Sequence, residues 1–164
     1  MTGVTSTLGH KTWHCFAIFS MTDEKRSTTM SVKLVHPEGV NRVDVHHQVA
    51  DTQGSRTIYL AGQVSWDTEG NLVGRDDVAA QAEQAYLNIA AALDAVGATV
   101  ADLAKVTVYI VDLDEEKAGQ FVVGRERAAA KLGAEFQQPS TWIGVTALAA
   151  PGYVVEVDAI AVLP

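Results

Sequence analysis

Residues 77–111, DVAAQAEQAYLNIAAALDAVGATVADLAKVTVYIV, decide the fold. Across the first twenty positions Val78, Ala82, Ala85, Ile89, Ala92, Leu93 and Val96 recur every three or four residues, a spacing that lines up one face of an α-helix. Asp76 is a good N-cap for a helix over 77–96, and Gly97 suits the left-handed residue that ends one. The last six residues, Val106-Thr107-Val108-Tyr109-Ile110-Val111, are nearly all β-branched or aromatic and predict a strand.

Working toward the C-terminus, Asp112 or Asp114 caps a second helix running to about Leu132, with Ala118, Phe121, Val122, Ala128 and Leu132 inward and Gly133 at its end. Pro139 introduces a strand over 142–146, and Ala150-Pro151-Gly152 turns into a final strand over 153–162. Toward the N-terminus, Val32–Val35 is a short strand, Val43–Ala50 alternates more cleanly, and Gln53-Gly54-Ser55 turns the chain into a strand at 57–61. These last two segments are expected to pair as a long hairpin. The predicted order is βββαβαββ: an α+β fold with a single mixed sheet and two helices on one face. The other face keeps Val154, Ile160 and Val162, so further copies of the chain are expected to cover it.

Composition narrows the function. The chain has 164 residues, 48% of them hydrophobic and 20% charged, which fits one globular domain. No apolar run approaches the roughly 20 residues that cross a bilayer. Residues 31–164 hold 9 Lys/Arg against 18 Asp/Glu, a balance that repels phosphate backbones and anionic lipid, so neither nucleic acid nor membrane is an expected partner. Cys15 is the single cysteine; with no internal disulfide available, a cytoplasmic location is expected.

Residues 1–30 read as a flexible N-terminal extension and 31–164 as the working domain, with Met30 resembling a natural start. Cys15–Phe19 is too short for the apolar region of a signal peptide. His10, His14 and Cys15 would share a helix face as metal ligands, but no further Cys or His follows at finger spacing, and a floppy leader is preferred.

Several motifs then fall in a familiar order. They are Ala61-Gly62-Gln63 with the Asp67–Gly70 turn, Gln84-Ala85-Tyr86-Leu87-Asn88-Ile89, Val96-Gly97-Ala98, Lys105–Ile110 followed by Asp112, and Pro151-Gly152 with Val155–Ala161. From about 32 to 162 the chain resembles the YjgF/RidA (reactive intermediate deaminase, also labelled endoribonuclease L-PSP) family. The resemblance implies a chorismate-mutase-like homotrimer with three pockets between subunits, and neither metal nor organic cofactor. It also implies hydrolysis of 2-imino and enamine acids to keto acids and ammonia.

The family's pocket carries over position by position. Its second-strand Tyr corresponds to His46, its Ser before Gly-Gln to Ala61, its first-helix Asn to Asn88, its Arg after the proline to Thr141, and its last-strand Glu to Glu156. Asn88 and Glu156 are retained, and no arginine follows Arg127. Pro139–Val145 resembles a branch that lacks the substrate-binding arginine. A guanidinium grips a carboxylate with two parallel charge-assisted bonds, and its loss costs about 2–5 kcal/mol by analogy with buried charge pairs. The expected substrate is therefore a small metabolite other than the usual 2-imino acid.

Glu156 shares the face away from the helices with Val154, Asp158, Ile160 and Val162, and burial there should raise its pKa toward neutrality. It is the candidate general acid/base; the alternative is a purely structural bond to an amide or a basic residue. His46, Ala61, Asn88 and Thr141 are the candidate substrate-binding positions. His46 points opposite to His47 along a regular strand, so the two would not chelate one metal; it could donate to a ligand or sit inert. Asn88, following Gln84 and Gln81, could be a solvated helix edge, and Thr141 a strand-capping hydroxyl, while Trp142 should pack in the core or an interface. Two functions remain, a deaminase-type hydrolase and a non-catalytic homotrimer that binds small molecules. The acidic surface weighs against a ribonuclease.

Overall fold

The computed structural model describes residues 31–42 and 46–164. His10, His14 and Cys15, and the start of the predicted second strand, lie outside the described residues. The elements are β1 (Val32–Val35), β2 (Val49–Thr52), β3 (Arg56–Tyr59), α1 (Val78–Asp94), a 3-10 turn (Val100–Asp102), β4 (Leu103–Val111), α2 (Glu115–Leu132), β5 (Ser140–Val145) and β6 (Val155–Leu163). The βββαβαββ order and the α+β class match expectation.

Continuity of the sheet does not. Hydrogen bonding divides the strands into a two-stranded ladder, β1-β2, and a four-stranded sheet ordered β3-β6-β4-β5, in which β4 and β5 are parallel and the other pairs antiparallel. The expected hairpin between the second and third strands is absent: β2 pairs with β1, and β3 with β6. The His47 N–H donates to the Gln137 carbonyl at 2.7 Å, which keeps it out of any ladder, and β2 starts only at Val49. Beyond β2, Gln53 N–H donates to the Ser31 carbonyl at 2.9 Å, and the chain then crosses to the β6 edge.

The helix ends shift by a residue or two. Asp76 adopts φ 59°, so Asp77 becomes the N-cap of α1 and accepts from the Ala80 N–H at 3.0 Å. Asp114, rather than Asp112, caps α2, and Gly133 ends it at φ 61° as anticipated. Both helices pack on one face of the four-stranded sheet. Ala82, Ala85, Ile89, Leu93, Phe121 and Ala128 share one core with Val106, Val108, Val155 and Val157. Each large side chain sealed there contributes about 1.5–3 kcal/mol. Trp142 packs edge-on against Phe121 at 4.9 Å, confirming its inward orientation, whereas Leu132 is exposed.

The far face is less bare than its apolar residues implied. Val162 is buried with Val32 and Ala104, and Leu34 and Ala50 of the β1-β2 hairpin pack against them. What remains open is the stretch of sheet beyond the hairpin, including Tyr59, 77% exposed, and Ile143, 38% exposed.

Candidate functional site

Antiparallel partners point to the same side of a sheet, so the register fixes which residues meet on the open face. Lys105 lies opposite Ile160, Thr107 opposite Asp158, and Tyr109 opposite Glu156; β5 adds Thr141 beside Thr107. The intervening residues Val155, Val157 and Ala159 are sealed in the core. Between β3, β4 and β6 lies a shallow groove of about 250 Å³, with Ala61, Gly62, Lys105, Thr107, Asp158 and Ile160 among its walls.

Glu156 lies over Gly62. A methyl group built on Gly62 would stand 2.8 Å from Cδ and 3.0 Å from Cγ of Glu156 and would collide with Oε1, so a side chain at 62 would displace the carboxyl. Burial, with a further push from the Asp158 charge, raises the Glu156 pKa above the usual carboxylate value, as the sequence predicted. Tyr109 donates its hydroxyl proton to Asp158 Oδ2 at 3.3 Å, and the Asp158 charge in turn holds the phenol pKa above its ordinary value. One carboxyl is thus tied to a phenol, and its neighbour is shifted toward the protonated form. Such a pair can deliver and recover a proton.

Thr141 stands on β5 with its Oγ1 accepting a hydrogen bond from Lys105 Nζ at 2.6 Å. Ala61 contributes only a methyl and a carbonyl, and the carbonyl is taken by Gln63 Nε2 at 2.9 Å. His46 lies just before β2, half-buried; burial, and then the cations Lys105 and Arg125, lower its pKa below the usual imidazole value. Because residues 46–48 are not in a strand, the strict opposition of His46 and His47 does not hold; His47 instead stacks on His36 at 4.2 Å. Asn88 is on α1, across the sheet from the groove. Its amide donates to the carbonyls of Val64 and Trp66 at 3.0 and 2.9 Å and accepts from Gln84, so it fastens the 64–66 segment to the helix. The structure therefore gathers Glu156, Ala61 and Thr141 on the open face, sets His46 near Lys105, and leaves Asn88 in the helical layer. Among the described residues, no three His, Cys, Asp or Glu side chains are grouped as a metal would require.

Residues 44–163 match the family described as endoribonuclease L-PSP. The chain belongs to that family. This is the YjgF/RidA group that its motifs resemble. The YyfB protein of the Rid family from Yersinia pestis, described as of unknown function, superimposes with a TM-score of 0.71 at 31% identity, over 82% of this chain and all of that one. The Escherichia coli YjgF gene product gives 0.56 at 26% identity, over 79% and 98%. A 2-iminobutanoate/2-iminopropanoate deaminase of Dermatophagoides farinae is 30% identical over 63 residues, 38% of this chain and 49% of that protein. A RutC family protein of Pyrococcus abyssi is 38% identical over 58 residues, 35% and 46% of the two chains. The chain thus matches about half the length of these curated relatives.

Gly62, Lys105 and Asp158 line the groove and Tyr109 bonds to Asp158, yet none of them is a candidate on sequence grounds. Tyr109 and Asp158 could have been found, because they stand at the same alternation phase as Glu156 on strands legible from the sequence. Gly62 has no side chain to signal a role. Lys105 lines the groove of its own chain.

Proposed function

We propose that this protein is a RidA-type deaminase-like hydrolase acting on an imine or enamine of a small metabolite. The observation that carries this reading is Glu156, half-buried on the open face, with its pKa raised and its carboxyl laid over Gly62 at the wall of the groove. In the reaction Glu156 protonates the imine nitrogen, and water adds to the carbon with its proton taken by the carboxylate. Glu156 then returns that proton to the amine nitrogen and accepts the hydroxyl proton as the C–N bond breaks, releasing a carbonyl compound and ammonia and leaving Glu156 protonated as at the start. General acid–base catalysis of this kind contributes about 10²–10⁴-fold. The exposed Tyr59 and Ile143 on the same face support a homotrimer in which neighbouring copies complete the wall. The Asp158 carboxylate in the groove, Glu156 beside it and the net charge of −8 favour a small ligand over RNA. The single cysteine favours the cytoplasm; among the described residues no helix is long and apolar enough to cross a membrane.

The test is release of ammonia and carbonyl product from imines generated in situ by an amino-acid oxidase. Wild-type turnover should exceed that of Glu156→Gln by about 100-fold or more; equal turnover removes the reading. A non-catalytic small-molecule-binding trimer is the second reading. It is favoured by the commitment of the Asn88 amide to backbone carbonyls and by threonine where an arginine would grip substrate. Ligand-dependent thermal shifts without turnover would select it.

A further inference from the structure

On the open face Tyr109 stands directly opposite Glu156, and Thr107 opposite Asp158. The Tyr109 hydroxyl nevertheless reaches diagonally along β6, within the range of a long aromatic side chain, and donates to Asp158 Oδ2 at 3.3 Å. We propose that Tyr109 is a positioning residue that acts on Glu156 through Asp158: by bonding the Asp158 carboxylate, it leaves the Glu156 proton free for substrate instead of shared between the two carboxyls. The proposal deepens the reading of Glu156 as the reacting acid and rests on it for its catalytic consequence; the arrangement itself belongs to the resting protein.

Strand alternation sets the problem that the phenol solves. Glu156 and Asp158 are two residues apart on β6, so they face the same side with Cα atoms about 7 Å apart. A charge on one carboxyl raises the proton affinity of the other. The Asp158 charge adds to burial in this way and raises the Glu156 pKa. The same charge is also an acceptor, and a neutral carboxyl donates to an ionised one in a short bond of about 2.5–2.7 Å. A proton caught there is withdrawn from the groove. Asp158 therefore helps Glu156 hold its proton and, left without another donor, would also trap it.

A phenol separates the two effects. It is a neutral O–H donor, so it satisfies Asp158 without cancelling the charge that acts on Glu156. The Asp158 charge raises the Tyr109 pKa, which keeps the hydroxyl a donor well above neutrality. No other titratable group on this face does the same work. Lys105 on β4 and Tyr59 on β3 both stand opposite Ile160, four residues along β6 from Glu156. That is about 13 Å, beyond a screening length of about 8 Å. The 61–63 segment beside Glu156 and β5 beyond Tyr109 carry no titratable side chain.

Carbon-13 NMR of the side-chain carboxyls of the full chain, titrated with pH and without ligand, reads the Glu156 proton directly; Glu156→Gln assigns the signal. In Asp158→Asn the Glu156 midpoint should fall by about half a unit or more, the scale of one charge about 7 Å away in water. In Tyr109→Phe it should move the other way, upward, as the proton becomes shared. In the double variant Tyr109→Phe/Asp158→Asn the phenylalanine should add nothing, because it acts through Asp158. An unmoved Glu156 in Asp158→Asn, an unmoved or lowered one in Tyr109→Phe, or a phenylalanine effect that persists in the double variant overturns the proposal. Should Tyr109→Phe fail to fold, the phenol decides: its own midpoint should fall in Asp158→Asn, and an unchanged phenol overturns the pairing. Shifts of these signs in a protein that releases no ammonia from any imine would sink the catalytic reading and leave this arrangement standing. Turnover that depends on Glu156 without such shifts would do the reverse.

Discussion

Gly62→Ala isolates the position of one carboxyl from the stability of the fold. Gly62 does not occupy the left-handed region, so its backbone accepts alanine without strain. The three atoms nearest the added methyl all belong to the Glu156 side chain, with Cδ at 2.8 Å where ordinary contact begins at 3.4 Å. The carboxyl must retreat by at least 0.6 Å, and the colliding Oε1 by about 1.5 Å. Turning a flexible side chain off its rotamer costs about 0.5–1.5 kcal/mol, while replacing glycine stabilises by about 0.4–1 kcal/mol through the unfolded chain. Net stability should therefore stay within about 1 kcal/mol of wild type, a few degrees in Tm. Catalysis is less tolerant, because a misplacement of about 1 Å can cost about 100-fold. Ammonia release should fall by that factor in a protein whose circular dichroism and melting are close to wild type. In the double variant Gly62→Ala/Glu156→Gln the alanine should add almost nothing, since both changes act through the same carboxyl. A folded Gly62→Ala with full turnover, or an additive double variant, would refute the assignment of Glu156 as the reacting acid.

The raised Glu156 pKa has a stability signature of definite sign. Between the ordinary carboxylate range and the raised value the folded protein keeps a proton that the unfolded chain has lost, so stability falls as pH rises through that window. Differential scanning should show Glu156→Gln melting above wild type at neutral pH, with the gap closing near about pH 4; a constant gap would contradict the shift. Gln81, fully buried on α1, donates to the carbonyls of Gly74 and Gly152 and accepts from the amides of Val154 and Val155. At about 1–3 kcal/mol for each orphaned buried group, Gln81→Leu should lose about 3 kcal/mol or more by chemical denaturation, and a loss below about 1 kcal/mol would show the network to be dispensable. On α2, a methyl at Gly124 would meet Ala82 Cβ at 2.8 Å and the Ala79 backbone carbon at 2.9 Å, whereas one at Gly119 meets nothing within 4 Å. Gly124→Ala should destabilise by about 2–3 kcal/mol through overpacking and Gly119→Ala stabilise by about 1 kcal/mol; similar melting of the two would deny the close helix contact.

The helices were legible because their signals are local: a capping aspartate, an apolar stripe and a terminal glycine all act within a turn or two. Strand pairing was not, because adjacency in sequence says nothing about which ladder a distant edge offers. The expected β2-β3 hairpin lost to β1 on one side and β6 on the other, through partners far along the chain such as Gln137. Gln81 stands three residues after Val78 and four before Ala85, inside the buried stripe. A polar residue at that phase already signals a buried hydrogen-bonding duty. Glu156 was legible from alternation and resemblance together, while its dependence on Gly62 could be seen only once β6 and the 61–63 segment were side by side.

The start of β4 departs from plain alternation at Leu103 and Ala104 while keeping Lys105 on the open side. Strict alternation from Val106, Val108 and Ile110 on the helix face would carry Ala104 to that face and leave Leu103 and Lys105 on the other. Instead Leu103 is in the main core, and Ala104 joins Val32 and Val162 on the far side. The register accounts for both: Leu103 opposes Ala161 and Lys105 opposes Ile160, so Ala104 is an extra residue, a β-bulge. The bulge resets the phase of the strand and places two successive residues, Ala104 and Lys105, on the open side. One seals the sheet beneath the hairpin, and the other delivers its ammonium into the groove. Without the extra residue, a strand that buries Leu103 would aim position 105 into the core, where a lysine would be an unpaired buried charge. The apolar phase slip between Leu103 and Val106 is visible in the sequence. It marks the point at which a structural strand begins to carry a charge that the groove can use.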